Sequence, residues 1–138
     1  MSPTEMAVQQ LKIDEGLSLV PYRDTVGVLT IGYGRNLDHV GITEAEATLM
    51  LRRDVKVAQR DAQELVGPSW SDLTAARQAV VINMAFNLGR TRLSQFTKTL
   101  NAIRLHHYDT AASEMLNSRW ATQVGNRATR LADAMRTG

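Results

Sequence analysis

Glu15-Gly16-Leu17-Ser18-Leu19-Val20-Pro21-Tyr22-Arg23-Asp24-Thr25-Val26-Gly27-Val28-Leu29-Thr30-Ile31-Gly32-Tyr33-Gly34 is the stretch in which this chain changes character. Between Leu19 and Leu37, Gly27, Gly32 and Gly34 punctuate Val28, Leu29, Ile31 and Tyr33. That alternation suits a short antiparallel sheet closed by tight turns. It is the only β region the sequence supports.

On both sides of it the pattern is helical. Ser2-Pro3-Thr4-Glu5 has the form of a capping box with proline at the first helical position, so a helix should run to Glu15 and stop before Gly16. Thr43 to Glu46 is a second capping box, and the helix it opens should reach Val66, where Gly67-Pro68 ends it. Ser71 or Asp72 should cap a third helix through Leu88. Its run Ala79-Val80-Val81-Ile82-Asn83-Met84-Ala85-Phe86 is apolar nearly all round and predicts burial. Further helices are expected over Leu93–Leu105, Asp109–Leu116 and Asn126–Met135. The fold class is therefore α+β, mostly helical. The sequence predicts a single domain over 1–138, with a small β-hairpin lobe at about 16–50 and an all-helical lobe at about 67–138. The N-terminal helix should belong to the helical lobe, and the long helix should join the two.

Composition narrows the class. At 138 residues, 43% hydrophobic and 22% charged, the chain suits one soluble domain with a genuine core. It has no cysteine, which excludes disulfides and cysteine-based zinc sites. No metal-ligand spacing is present, and no cofactor is expected. No apolar run approaches the roughly 18–20 residues needed to span a bilayer, and residues 1–15 carry Glu5 and Asp14 without an apolar core. Neither membrane insertion nor a signal peptide is expected. The net charge of +2 is uneven: residues 1–72 hold 7 basic and 11 acidic side chains, residues 73–138 hold 9 and 3. The basic half would favour an anionic polymer or simply face solvent.

Candidate chemistry centres on Glu15, Asp24 and Thr30. Glycoside hydrolysis commonly places two carboxyl groups across the scissile bond, one as acid and one acting on water or on the sugar. Glu15 should sit at the negative end of the first helix, partly buried against Val8 and Leu11, both of which disfavour its charged form. Asp24 should lie in a more solvated turn. Two acids in unlike environments make an acid–base pair. Asp24 could equally do no more than cap its turn.

The segment Leu11 to Leu17, then Tyr22-Arg23-Asp24-Thr25, then Thr30-Ile31-Gly32-Tyr33-Gly34 resembles the active-site segment of the T4-type phage lysozymes, the endolysins of glycoside hydrolase family 24. The resemblance continues through Ala79 to Gly89, Phe96-Thr97, Ser118-Arg119-Trp120, Asn126-Arg127-Ala128 and Arg136-Thr137-Gly138, in order over nearly the whole chain. It implies a muramidase that hydrolyses the β-1,4 bond between N-acetylmuramic acid and N-acetylglucosamine in bacterial peptidoglycan. Glu15 would protonate the glycosidic oxygen. Asp24 and Thr30 would hold a water on the opposite face of the sugar, so the anomeric configuration inverts, with carboxyl groups about 6.5–9.5 Å apart.

The resemblance also assigns substrate contacts to Phe86, Thr99 and, where residue types differ from the family, Asn36 and Glu114. Phe86 could alternatively be a core residue. Arg127 matches a family arginine that pairs with the catalytic glutamate, and Gly34 would permit a tight turn beside the sugar. Trp120 reads as core. Arg35 replaces a family histidine that pairs with an acid, which suggests an Arg35–Asp54 ion pair. The connection between Leu37 and Thr43 is shorter than in the family. The biological setting it implies is bacteriophage-driven host lysis and antimicrobial action. The enzyme would be a monomer held in the host cytoplasm until holin-dependent release, with glycan strands and no nucleic acid as partners. Three other readings compete: a lytic transglycosylase, which needs no Asp24, a catalytically silent glycan-binding domain, and a cationic membrane-permeabilising protein.

Overall fold

Ser2 stops the chain from fraying at its first helix: its Oγ accepts a hydrogen bond from the Glu5 N–H at 3.1 Å, and Pro3 follows at a position where no N–H is needed. The computed structural model describes residues 1–138. Helix α1 spans Pro3–Glu15 and ends at Gly16. The β region follows as β1 (Ser18–Arg23), β2 (Leu29–Gly32) and β3 (Arg35–Asn36), an antiparallel sheet in the order β1-β2-β3. Tyr22 pairs with Thr30 and Thr30 with Asn36, so Thr30 occupies the centre of the sheet.

Helix α2 runs Glu44–Val66. Its capping box is complete: Thr43 Oγ1 accepts from the Glu46 N–H at 3.1 Å, and Glu46 Oε1 accepts from the Thr43 N–H at 3.0 Å. Gly67 and Pro68 do end it, but they open a 3-10 turn over Gly67–Asp72. The expected cap at Ser71 or Asp72 is thereby displaced. Thr74 caps α3 (Ala75–Leu88), its Oγ1 accepting from the Arg77 N–H at 3.2 Å.

The single helix expected over Leu93–Leu105 is two: α4 (Arg90–Ser94) and α5 (Thr97–Arg104). Phe96, at φ −79° and ψ 56°, breaks the helical path between them. Then come α6 (Tyr108–Leu116), α7 (Arg119–Val124) and α8 (Asn126–Thr137). The chain is mostly helical with one small sheet, an α+β fold. No helix is long and apolar enough to cross a membrane.

The chain divides into two compact units, Met1–Leu49 and Met50–Gly138, with the division inside α2. Contacts therefore group α1 with the sheet, whereas the sequence placed it with the helices. The reason is visible in its surface: no residue of α1 is buried. The expected burial of Glu15 against Val8 and Leu11 does not occur, since all three are exposed.

The second unit holds every buried hydrophobic residue. Val80, Val81, Met84, Ala85 and Leu88 line the inner face of α3, and α8 packs against α3, α6 and α7. Small residues let α6 and α8 approach: Ala111, Ala112 and Ala132 are fully covered, with Met115 and Met135 filling the space between. Trp120 is buried as expected, edge-on to Phe96 at 6.1 Å, and its Nε1 donates to Asn87 Oδ1 at 2.8 Å.

Candidate active site

In the first unit, Asp24 caps its turn with one carboxylate oxygen. Its Oδ1 accepts from the N–H groups of Val26 and Val28, each at 2.9 Å. Its own N–H donates to the Val28 carbonyl at 2.9 Å. Oδ2 has no partner within the chain and faces outward on a half-buried side chain.

Thr30 is 4% exposed, the one buried residue in this unit. Its hydroxyl donates to the same Val28 carbonyl at 2.8 Å. With that proton committed, Thr30 Oγ1 can only accept. A water molecule between the two side chains would therefore donate one hydrogen to Thr30 and the other to Asp24, leaving its lone pair free to attack.

Glu15 is the last residue of α1, and two contacts fix that helix end to the β2–β3 turn. The Lys12 ammonium lies 5.8 Å from the Tyr33 ring centre. The Glu15 carboxyl lies over Gly34, where a Cβ would come within 2.8 Å of Oε2. Gly34 also has φ +77°, a conformation other residues adopt at a cost. Its lack of a side chain is what lets the carboxyl rest there.

Asn36 is beside Thr30 in the sheet, but its Oδ1 is occupied by the His39 N–H at 2.9 Å, and its carbonyl accepts from Val40 and Gly41. Its side-chain NH2 and one remaining lone pair of Oδ1 are left for a ligand. Arg35 corrects the expected ion pair. Its Nη1 and Nη2 each donate to a Glu46 oxygen at 2.9 Å, and Nη1 also donates to the Gly41 carbonyl. Glu46, already in the capping box, is placed by the first turn of α2 beside Arg35. Asp54 is two turns further along the helix and does not form the pair. The paired guanidinium and then Thr43 hold the Glu46 carboxyl down to a pKa of about 2.

The second unit carries the remaining candidates separately. Phe86 is 45% exposed at the end of α3, which removes its reading as a core residue. Arg127 is clasped by Asn83, whose Oδ1 accepts from Nε at 3.0 Å and Nη2 at 2.7 Å. Thr99 is 2% exposed yet lines a surface pocket with Phe96, Glu114, Asn117, Ser118 and Trp120, and three cations surround it: Arg92, Lys98 and Arg119. Sequence reading missed this cationic rim because its members come from α4, α5 and α7. It also missed Asn83, whose one clue was an amide in an otherwise apolar helical run.

A mostly helical chain with one small antiparallel sheet has the fold of a class, the lysozyme-type glycoside hydrolases, whose substrate is peptidoglycan. Residues 12–135 match the phage lysozyme family, and the chain belongs to it. It is 28% identical to the probable T4-type lysozyme 1 of Dictyostelium discoideum and 29% identical to the probable T4-type lysozyme 2. Each comparison covers 93% of this chain and 92% of the relative. It is also 30% identical, over 99% of its length, to the pre-baseplate central spike protein Gp5 of Enterobacteria phage T4. There it spans only 28% of the relative.

Proposed function

We propose that this chain is an inverting muramidase that cleaves the β-1,4 bond between N-acetylmuramic acid and N-acetylglucosamine. The observation that carries this reading is the anchoring of Asp24 and Thr30 to the backbone of one residue, Val28, with one free carboxylate oxygen and one hydroxyl able only to accept. Glu15 donates its proton to the leaving oxygen. Asp24 takes the proton of the attacking water, and Thr30 fixes that water's orientation. The incoming oxygen bonds to the anomeric carbon opposite the departing sugar, so the configuration inverts, and the two carboxyls are about 6.5–9.5 Å apart across the substrate. Asn36, beside Thr30 in the sheet, contacts the sugar through its side-chain amide.

The enzyme acts as a monomer in host-cell lysis, with an antimicrobial effect. It is held in the bacterial cytoplasm until a holin releases it to the wall. The similarity to a central spike protein favours a second setting for the same reaction, within a larger phage assembly. Finding the protein in purified virions, rather than free in the lysate, would select that setting.

The deciding experiment treats purified peptidoglycan with the native protein and with Glu15→Gln, followed by mass analysis and NMR of the first-formed anomer. Reducing-end muropeptides that start as the α anomer, absent with the variant, support the proposal. The β anomer means retention. Anhydro products mean a transglycosylase and remove the roles given to Asp24 and Thr30. A native protein that binds without cleaving leaves the glycan-binding reading.

A further inference from the structure

Helix α2 presents a second chemistry, unconnected with hydrolysis. Successive helical residues turn by about 100°, which places Arg52, Arg53, Lys56 and Arg60 within an arc of about 100°. The opposite side carries Ala58, Ala62 and Val66 into the core, so this arc faces away from the protein. All four cations are exposed, and none makes an ion pair or a side-chain hydrogen bond within the chain.

No acid falls within the arc. The two carboxylates at its margin, Glu46 and Glu64, are already bound by Arg35 and Arg90. Arg90 also takes Asp61, further round the helix. Cations on other segments thus neutralise three of the helix's five acids, and the other two, Glu44 and Asp54, lie outside the arc.

We propose that this face of α2 docks a linear polyol-phosphate polymer, which carries one phosphodiester charge per repeat along its backbone. Arg52, Lys56 and Arg60 form a single inclined row that rises about 6 Å and turns about 40° per step, suited to charges borne in line rather than on branches. Three of the four cations are arginines, whose forked donors match phosphate oxygens. A lipid surface fits less well, because the large apolar side chains that α2 exposes, Leu49, Met50, Leu51, Val55 and Val57, are spread around the helix and form no single face that could immerse. A single-stranded nucleic acid fits less well, because no aromatic side chain stands in the arc to stack on bases.

The test measures binding of lipid-free polyglycerol phosphate across a salt series, with the native protein and with Arg52→Gln/Arg53→Gln/Lys56→Gln/Arg60→Gln. Glutamine keeps helix propensity, and circular dichroism checks the fold. Removing four charges should weaken binding at low salt and flatten the slope of log affinity against log salt by about 2.8. If the fourfold variant does not fold, Arg52→Gln/Lys56→Gln and Arg53→Gln/Arg60→Gln should each flatten it by about 1.4. Five outcomes overturn the proposal. The native protein does not bind the polymer. The slope is unchanged in the variants. An equal loss follows Arg92→Gln/Lys98→Gln/Arg119→Gln/Arg130→Gln, which would make binding a matter of overall charge. Or the four cations govern binding only to phosphatidylglycerol vesicles, or tenfold tighter binding to oligothymidylate than to the polymer.

Discussion

Asp24 and Thr30 are tied to the backbone of the same residue, Val28. Its N–H donates to Asp24 Oδ1, and its carbonyl accepts from both the Asp24 N–H and the Thr30 hydroxyl. One backbone unit therefore sets the positions of both groups proposed to hold the water. The hydrogen bonds that cap the turn use one carboxylate oxygen and spare the other. Turn capping, an alternative to catalysis at the level of sequence, is therefore compatible with the proposed role of Asp24.

Substitution at Asp24 can separate these two duties. Asp24→Asn keeps an oxygen to accept from Val26 and Val28 but cannot take a proton. It should melt near the native temperature and lose roughly 10²- to 10⁴-fold in activity, the usual worth of a positioned base. Asp24→Ala should lose that activity and also stability, about 1 kcal/mol for each backbone bond forfeited. Turbidity assays and thermal unfolding on both variants give the comparison. Near-native activity in Asp24→Asn would remove Asp24 as the base.

Gly34→Ala should disturb Glu15 more than the fold. The new Cβ would sit 2.8 Å from Glu15 Oε2, and the carboxyl, at the end of a flexible side chain, would have to swing away. The positive φ adds roughly 1–2 kcal/mol of strain. Activity should fall at least tenfold while far-ultraviolet dichroism stays native. Full activity with a shifted melting point would show that Glu15 does not work from its place over Gly34.

Local chemistry made part of this legible in advance. The capping pairs Ser2/Glu5 and Thr43/Glu46 and the stops at Gly16 and Gly89 follow from residue types a few positions apart, and they set the limits of α1 and α2 and the end of α3. Glu15, Asp24 and Thr30 stood out only through the family motif, because their spacing alone is common. What the sequence did not reveal depends on choices between distant or competing partners. The family pattern matches Arg35 to Asp54, and the three-dimensional path of the turn brings it to Glu46 instead. Phe86 shares an apolar run with buried residues, and only the packing of α3 shows which side faces out. The break at Phe96 carries no proline or glycine to announce it.

Acid should loosen the start of α2 through Glu46. Its carboxyl titrates at about 2 when folded, below its ordinary value near 4.5, chiefly because Arg35 binds the charged form. A lowered folded pKa means that the stabilisation is complete above about pH 4.5 and is lost as pH falls towards 2. Glu46→Gln should remove that part of the acid dependence, and at neutral pH the variant should unfold earlier than the native protein. Chemical denaturation at pH 7, 4 and 2.5 tests this. Parallel losses in both proteins across the range would show that Glu46 contributes nothing to it.

The two compact units should differ in how readily they open. Residues 1–49 bury no hydrophobic side chain, so their order rests on caps, turns and the short sheet. By contrast, α6 and α8 are closed around Ala111, Ala112, Met115, Ala132 and Met135. Amides in α6 and α8 should exchange with solvent only on global unfolding, while those of α1 exchange through local opening at far lower cost. Met115→Ala should destabilise the protein by about 2–5 kcal/mol, the usual cost of emptying a methionine-sized space in a core. That loss should accelerate exchange in α5, α6 and α8 and leave α1 rates almost unchanged. Equal acceleration in α1 would mean that the first unit opens only when the core does, and that the division inside α2 is no boundary of stability.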